Sequence, residues 1–263
     1  MARHSVRYDR VAGDYSRSRP RYPDRLIAHL AGTIATVPTM PPGGLVLDIG
    51  SGTGAFTRLL RAALPAETRV VGIEPSPVMR AQAVAETQDA DANALAFVEG
   101  AAEAMPFDDN AAGAVVAATA AHWFDRPQFY GEAYRVLVPG GILAIAEYVR
   151  DTKESPLAAA LVAFMAEHGS RRAYVATDYR KELAALAGFA GIEEFVLSRQ
   201  LRLHVDEFVG LALSSSHAAG VIERFGNEGA RAALRELAAP HRIDDDHVRF
   251  GYLFQCITVR RDP

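Results

Sequence analysis

Between residues 43 and 148, short uninterrupted apolar runs alternate with longer amphipathic stretches. Runs rich in Val and Ile without polar alternation are the pattern of strands buried on both faces. They predict strands over Gly44–Ile49, Arg69–Glu74, Ala94–Glu99, Gly113–Thr119 and Ile142–Tyr148. The amphipathic stretches predict helices over Ala55–Ala63, Pro77–Gln88 and Gln128–Val138. Pro139-Gly140-Gly141 supplies a stop for the last of them. Strand and helix in regular succession imply parallel strands joined by right-handed crossovers.

The flanks follow a different rhythm. Tyr22–Ala35 reads as a leading helix ended by VPTMPPGG, and Ser155–His168 and Asp178–Ala187 read as helices beyond the alternating region. Residues 192–203 and 248–261 are β-prone, and the helical stretch Val205–Ala239, broken by glycines, lies between them. The expected fold is α/β: a doubly wound, mostly parallel seven-stranded sheet with helices on both faces. Its last strand is antiparallel, an N-terminal helical cap precedes it, and a helical insertion comes before the last strand. The expected divisions are a cap (1–42), a ligand-binding core (43–150), its completion (151–204), a substrate-binding insertion (205–247) and the last core strand (248–263).

Composition narrows the function. With 263 residues and 49% hydrophobic content, one large core is affordable. The net charge is −4 and basic residues are scattered, which disfavours nucleic acid, since phosphate neutralisation needs a basic stripe. The longest apolar stretch, AAGAVVAATAAHWF, is too short and interrupted for a membrane span. The opening MARHSVRYDR has no apolar run behind it, so no signal peptide and a cytoplasmic location are expected. Cys256, the single cysteine, lies in a strand-like apolar run and reads as a buried, inert thiol.

The stretch LVLDIGSGTGAF, residues 45–56, places glycines at 50, 52 and 54 where the first strand turns into the first helix. Open α/β sheets bind ligands outside the carboxyl ends of their strands, where the strand order reverses. Glycine there permits positive φ and lets backbone approach a ligand. Dinucleotide folds prefer G-x-G-x-x-G, and this spacing alone does not decide the ligand. Glu74, twenty residues after Gly54 at the end of the second strand, is placed to accept from both hydroxyls of a ribose. Together they point to an adenosine-type ligand.

Four segments in order, VLDIGSGTG, VVGIEPSPVM, VEGAAEAMPFDDNAAGAVVAATAAHWFD and EAYRVLVPGGILAIAEY, resemble the S-adenosylmethionine-dependent methyltransferases of the Rossmann-like class. The resemblance covers about residues 43–148. The lead-in YDRVAGDYSRSRPRYP is similar to the cap of the small-molecule branch, including trans-aconitate methyltransferase-like proteins. The resemblance implies that Asp48, Gly50, Gly52 and Thr119 line the methionine part of S-adenosylmethionine. Glu74 would hold its ribose, Pro75 and Met79 would flank the adenine, and Ala101, Ala102 and Glu103 would form the adenine edge, with Phe107 close by. Relatives often carry an aspartate where this chain has Ala101. Tyr15 and Arg19 would close over the cofactor, Arg19 reaching its carboxylate.

Methyl transfer from a sulfonium is an in-line displacement, so the protein's main task is alignment. A base is needed only when the acceptor must lose a proton. Candidates for that role, or for orienting the acceptor, are His122, Tyr15, Glu147, Tyr8 and His217, with Trp123 either at the substrate or packed beneath the following helix. The histidines show no metal-binding spacing, so no metal is expected. The partner expected is a small methyl acceptor, with no nucleic acid or membrane, and the protein a monomer or homodimer. A nicotinamide-dependent oxidoreductase, or a non-catalytic protein that keeps the fold, are the competing readings.

Overall fold

The computed structural model describes residues 20–41, 43–87, 94–170, 177–215 and 217–263. Seven strands form one sheet: β1 (Leu45–Ile49), β2 (Arg69–Ile73), β3 (Leu95–Val98), β4 (Ala112–Ala118), β5 (Leu137–Arg150), β6 (Phe189–His204) and β7 (His247–Arg261). Their spatial order is β3-β2-β1-β4-β5-β7-β6. β1 to β5 run parallel, and β7 is antiparallel to both neighbours, β5 and β6. The order reverses between β1 and β4, which puts the crevice for a ligand at the carboxyl ends of those two strands.

The central strands separate two cores by simple alternation. Val46, Ala114 and Val116 face one core, while Leu47, Val115 and Ala117 face the other. The first core is covered by α1 (Asp24–Ala35), α2 (Ala55–Ala63), α5 (Pro156–His168), α7 (Val205–Leu213) and α8 (Ala218–Ala238). The second is covered by α4 (Arg126–Val136) and α6 (Tyr179–Ala184). α3 (Pro77–Ala85) joins β2 to the β3 side of the sheet. Helix starts are set locally: Ser76, Asp125, Ser155 and Asp178 each accept a backbone N–H three residues on. Pro77, Arg126-Pro127 and Pro156 sit in first turns, where a missing N–H costs nothing.

Two boundaries differ from the sequence expectation for tertiary reasons. α4 stops at Val136, and β5 begins at Leu137 because Leu137 pairs with Ala112, ahead of a bulge before Ala114. Pro139-Gly140-Gly141 therefore lies within the strand run, with Gly140 at φ 78°. The helical stretch after β6 resolves into two helices, and α8 is broken at Gly226, whose φ of 70° and ψ of 170° are non-helical. The β6–β7 pairing runs on to His204 and His247, beyond the last β5–β7 pair at Arg150 and Tyr252. α7 and α8 thus leave the sheet at the same edge as the crevice. Among the described residues, no helix is long and apolar enough to cross a membrane.

Candidate functional site

Gly50, Gly52 and Gly54 all hold positive φ, at 68°, 55° and 75°. The N–H groups of Gly50 and Ser51 both donate to Ile73 O, at 2.8 and 3.1 Å, so the loop folds over the end of β2. A Cβ on Gly50 would stand 2.8 Å from Ala120 Cβ, which explains the glycine by packing against the turn after β4. A Cβ on Gly52 would meet nothing closer than Met79 Sδ at 3.6 Å. Glycine at 52 is thus set by its φ and not by crowding.

Glu74 follows β2 directly and is nearly buried, with 9% of its surface exposed. Its Oε2 accepts from Gly52 N–H at 3.0 Å and its Oε1 from Ser76 N–H at 2.9 Å. Arg80 donates to the Glu74 carbonyl at 2.7 Å, fixing the backbone as well. Burial raises the carboxyl pKa, and the two N–H bonds oppose that rise. Each oxygen keeps a lone pair for a further donor. Asp48 is buried at the end of β1, where Thr57 donates to its Oδ2 at 2.6 Å. Its Oδ1 is enclosed and has no hydrogen-bond partner among the described residues. Desolvation pushes its pKa up to about 7, with a smaller upward push from Glu74 and an opposing one from the Thr57 hydroxyl.

The expected adenine side is a turn in which Ala101 and Ala104 form a bridge. Met79 and Ala102 are buried here, and Pro75 is exposed. Glu103 Oε1 accepts from Asp125 N–H at 2.8 Å, so its carboxylate ties this turn to the start of α4. Arg135 braces the same region, donating to the carbonyls of Met105 and Phe107. Across the crevice, Thr119 ends β4 with φ 51°, an uncommon value for a β-branched residue.

His122 lies in a 3-10 turn, Ala121–Trp123, just past β4. Its Nδ1 is 3.5 Å from Glu147 Oε1 on β5, and the Glu147 side chain is only 4% exposed. A cavity of about 240 Å³ opens at Glu147 and is lined also by Val149, Tyr179, Arg180 and Gln255. Trp123 is 46% exposed, with its ring 4.9 Å from that of His122, so it is not packed beneath α4. His217 lies at the amino end of α8, where its carbonyl accepts from Ser170 N–H at 3.2 Å. Tyr8, Tyr15 and Arg19 fall outside the described residues. Cys256 is buried and its thiol is pushed up to about 12 by burial, as its apolar run suggested.

Thr57 and Tyr22 did not stand out in the sequence. Thr57 bonds Asp48 from the first turn of α2, and Tyr22 bonds Thr119 from before α1.

Residues 47–145 match the family described as a methyltransferase domain. The core of this chain is a Rossmann-like methyltransferase domain. An uncharacterized methyltransferase of Mycobacterium tuberculosis is 35% identical over 150 residues, covering 57% of this chain and 55% of that protein. A 2-methyl-6-phytyl-1,4-hydroquinone methyltransferase of Synechocystis is 32% identical over 149 residues, 56% of this chain and 44% of that protein. The chain thus spans about half the length of these curated relatives. A solved structure from Anaeromyxobacter dehalogenans, a candidate type II methyltransferase, superposes with a TM-score of 0.70 at 23% identity, over 93% of this chain and 99% of that one. That likeness extends the shared fold well beyond the methyltransferase domain's own limits.

Proposed function

We propose that this protein moves a methyl group from S-adenosylmethionine to a small molecule by in-line displacement. One observation carries the reading: Glu74 stands with both carboxylate oxygens held by loop N–H groups, beside the positive-φ loop of Gly50, Gly52 and Gly54 and across the strand switch from Thr119. A carboxylate so fixed suits a vicinal diol, and the unbonded Asp48 Oδ1 suits a site that receives a polar ligand. Gly50, Gly52 and Asp48 would hold the amino-acid end, Glu74 the ribose, and Met79 with Ala102 the adenine. The cofactor, when bound, supplies an electrophilic methyl group on a sulfonium.

The chain's own residues then have to align the acceptor and exclude water. His122 and Glu147 are the pair best placed to handle an acceptor proton, since the Glu147 carboxylate lies 3.5 Å from the imidazole and would stabilise its charged form. The exposed Trp123 beside them offers an aromatic face to the acceptor. The hydroquinone named for the Synechocystis relative is an acceptor of this general kind, small and able to lose a proton.

Calorimetric titration with S-adenosylhomocysteine, with NADH as control, tests the reading. Binding of the former alone is expected, and Glu74→Gln should weaken it about tenfold to a hundredfold, the worth of hydrogen bonds to a charged group. Tight NADH binding would instead favour the oxidoreductase reading.

A further inference from the structure

Three groups at the end of β4 close a small hydrogen-bond set. Ala146 O, on β5, accepts from Thr119 N–H at 2.8 Å and from the Tyr22 hydroxyl at 2.9 Å. A phenol has one proton, and this one is directed at a carbonyl, which can only accept. The 2.6 Å contact between Tyr22 Oη and Thr119 Oγ1 is therefore donated by Thr119. Its hydroxyl proton is spent on Tyr22, and Thr119 Oγ1 has lone pairs alone left for any further partner.

The arrangement is rigid. Tyr22 is buried at 6% exposure and held edge-on by Phe56, Tyr148 and Phe254, with centroids at 5.0, 5.8 and 5.9 Å. Burial raises its phenol pKa well above the ordinary value, so it stays protonated across the working range of pH. Thr119 holds φ 51°, the kind of backbone strain that collects at functional sites. It also sits at the strand switch, across from the Gly50–Gly54 loop.

We infer that Tyr22 is a positioning residue that fixes Thr119 Oγ1 as a pure acceptor, so that the ammonium of the cofactor's amino-acid end, and not its carboxylate, lies at the end of β4. An oxygen with no proton to give attracts an ammonium and repels a carboxylate. The inference rests on the cofactor reading above and deepens it by assigning a polarity within that site.

The test compares two ligands on Tyr22→Phe, which keeps the ring and its packing and removes only the oxygen. S-Adenosylhomocysteine carries the ammonium; 5′-methylthioadenosine has the same nucleoside and thioether without either amino-acid charge. Tyr22→Phe is expected to weaken S-adenosylhomocysteine about tenfold while methylthioadenosine changes by less than about twofold. Thr119→Ala should show the same selectivity, and the double variant should be no worse than the single ones. If Tyr22→Phe fails to fold, Thr119→Ala is read with the decarboxylated analogue of S-adenosylhomocysteine, which keeps the ammonium alone: an equal loss supports the inference, and no loss overturns it. Equal losses for both ligands, or no loss for either, would overturn the inference while leaving the cofactor reading intact. A wild-type protein that binds neither ligand would bring down both.

Discussion

Desolvation holds the Asp48 carboxyl near pH 7 against an ordinary value of 3.8, and one of its oxygens is unbonded among the described residues. Because the folded pKa lies above the unfolded one, this carboxyl's favourable contribution is complete below about pH 4 and is lost as pH rises through about 7. Asp48→Asn, which can still accept from Thr57, should therefore melt higher than wild type at pH 8, with the gap closing toward pH 4. The same variant should bind S-adenosylhomocysteine less well, a stability gained at the expense of the site. His122→Ala should lower kcat about a hundredfold if His122 takes a proton, with S-adenosylhomocysteine affinity little changed. A wild-type rate would reduce it to a shaping residue. The glycines and Glu74 were legible because loop and strand end are local signals at fixed spacing. Tyr22 was not, since its partner Thr119 lies 97 residues away and nothing in the Tyr22–Pro23 dipeptide announces a long-range bond. Trp123 was open to either reading because one exposed face cannot be told from sequence.

At the scale of elements, the helices whose ends are written in Ser-Pro or Asp caps fell within two or three residues of expectation, and α2 matched at both ends. β5 began earlier than its composition suggests, since only pairing with β4 makes Leu137 a strand residue. Two glycines separate backbone cost from packing, because a Cβ at either would meet nothing within 4 Å. Gly226 breaks α8 at φ 70° and ψ 170°, a region open almost only to glycine. Gly226→Ala should lower stability by about 1–3 kcal/mol. Gly32 is exposed within α1, and Gly32→Ala should raise it by about 0.5–1 kcal/mol. Chemical denaturation measures both, and a stabilising Gly226→Ala would mean that the break in α8 is not required.

Over the whole molecule, the α/β class and the seven strands followed from the chain's alternation, while the antiparallel direction of β7 and its position between β5 and β6 are tertiary facts that periodicity does not carry. A ligand in the crevice would touch the ends of β1, β2 and β4 together and so stabilise the folded state by linkage. At about a hundred times its Kd, S-adenosylhomocysteine should add about 2.7 kcal/mol, raising Tm by roughly 5–10 °C for a chain of this size. Thermal melts with and without it read this directly, and an unmoved Tm would contradict binding to the native fold.

The place of β7 also sets a timetable for the chain as it is made. β5 pairs with β7 through Ala146 and Cys256, and among the described residues β7 is the one strand beside β6 in the sheet. At roughly 5–20 residues per second, the ribosome needs about 5–20 s to supply β7 after β5 has emerged. Throughout that interval the β5 edge is open, and β6 has nothing to pair with once it is made. Exposed Glu193, Glu194, Arg199 and Arg202 along β6 discourage its edge from recruiting another chain. The β5 edge is apolar from Ile142 to Ala146, with Glu147 and Arg150 only at its far end, so until β7 arrives this is the part of the sheet most open to a wrong partner.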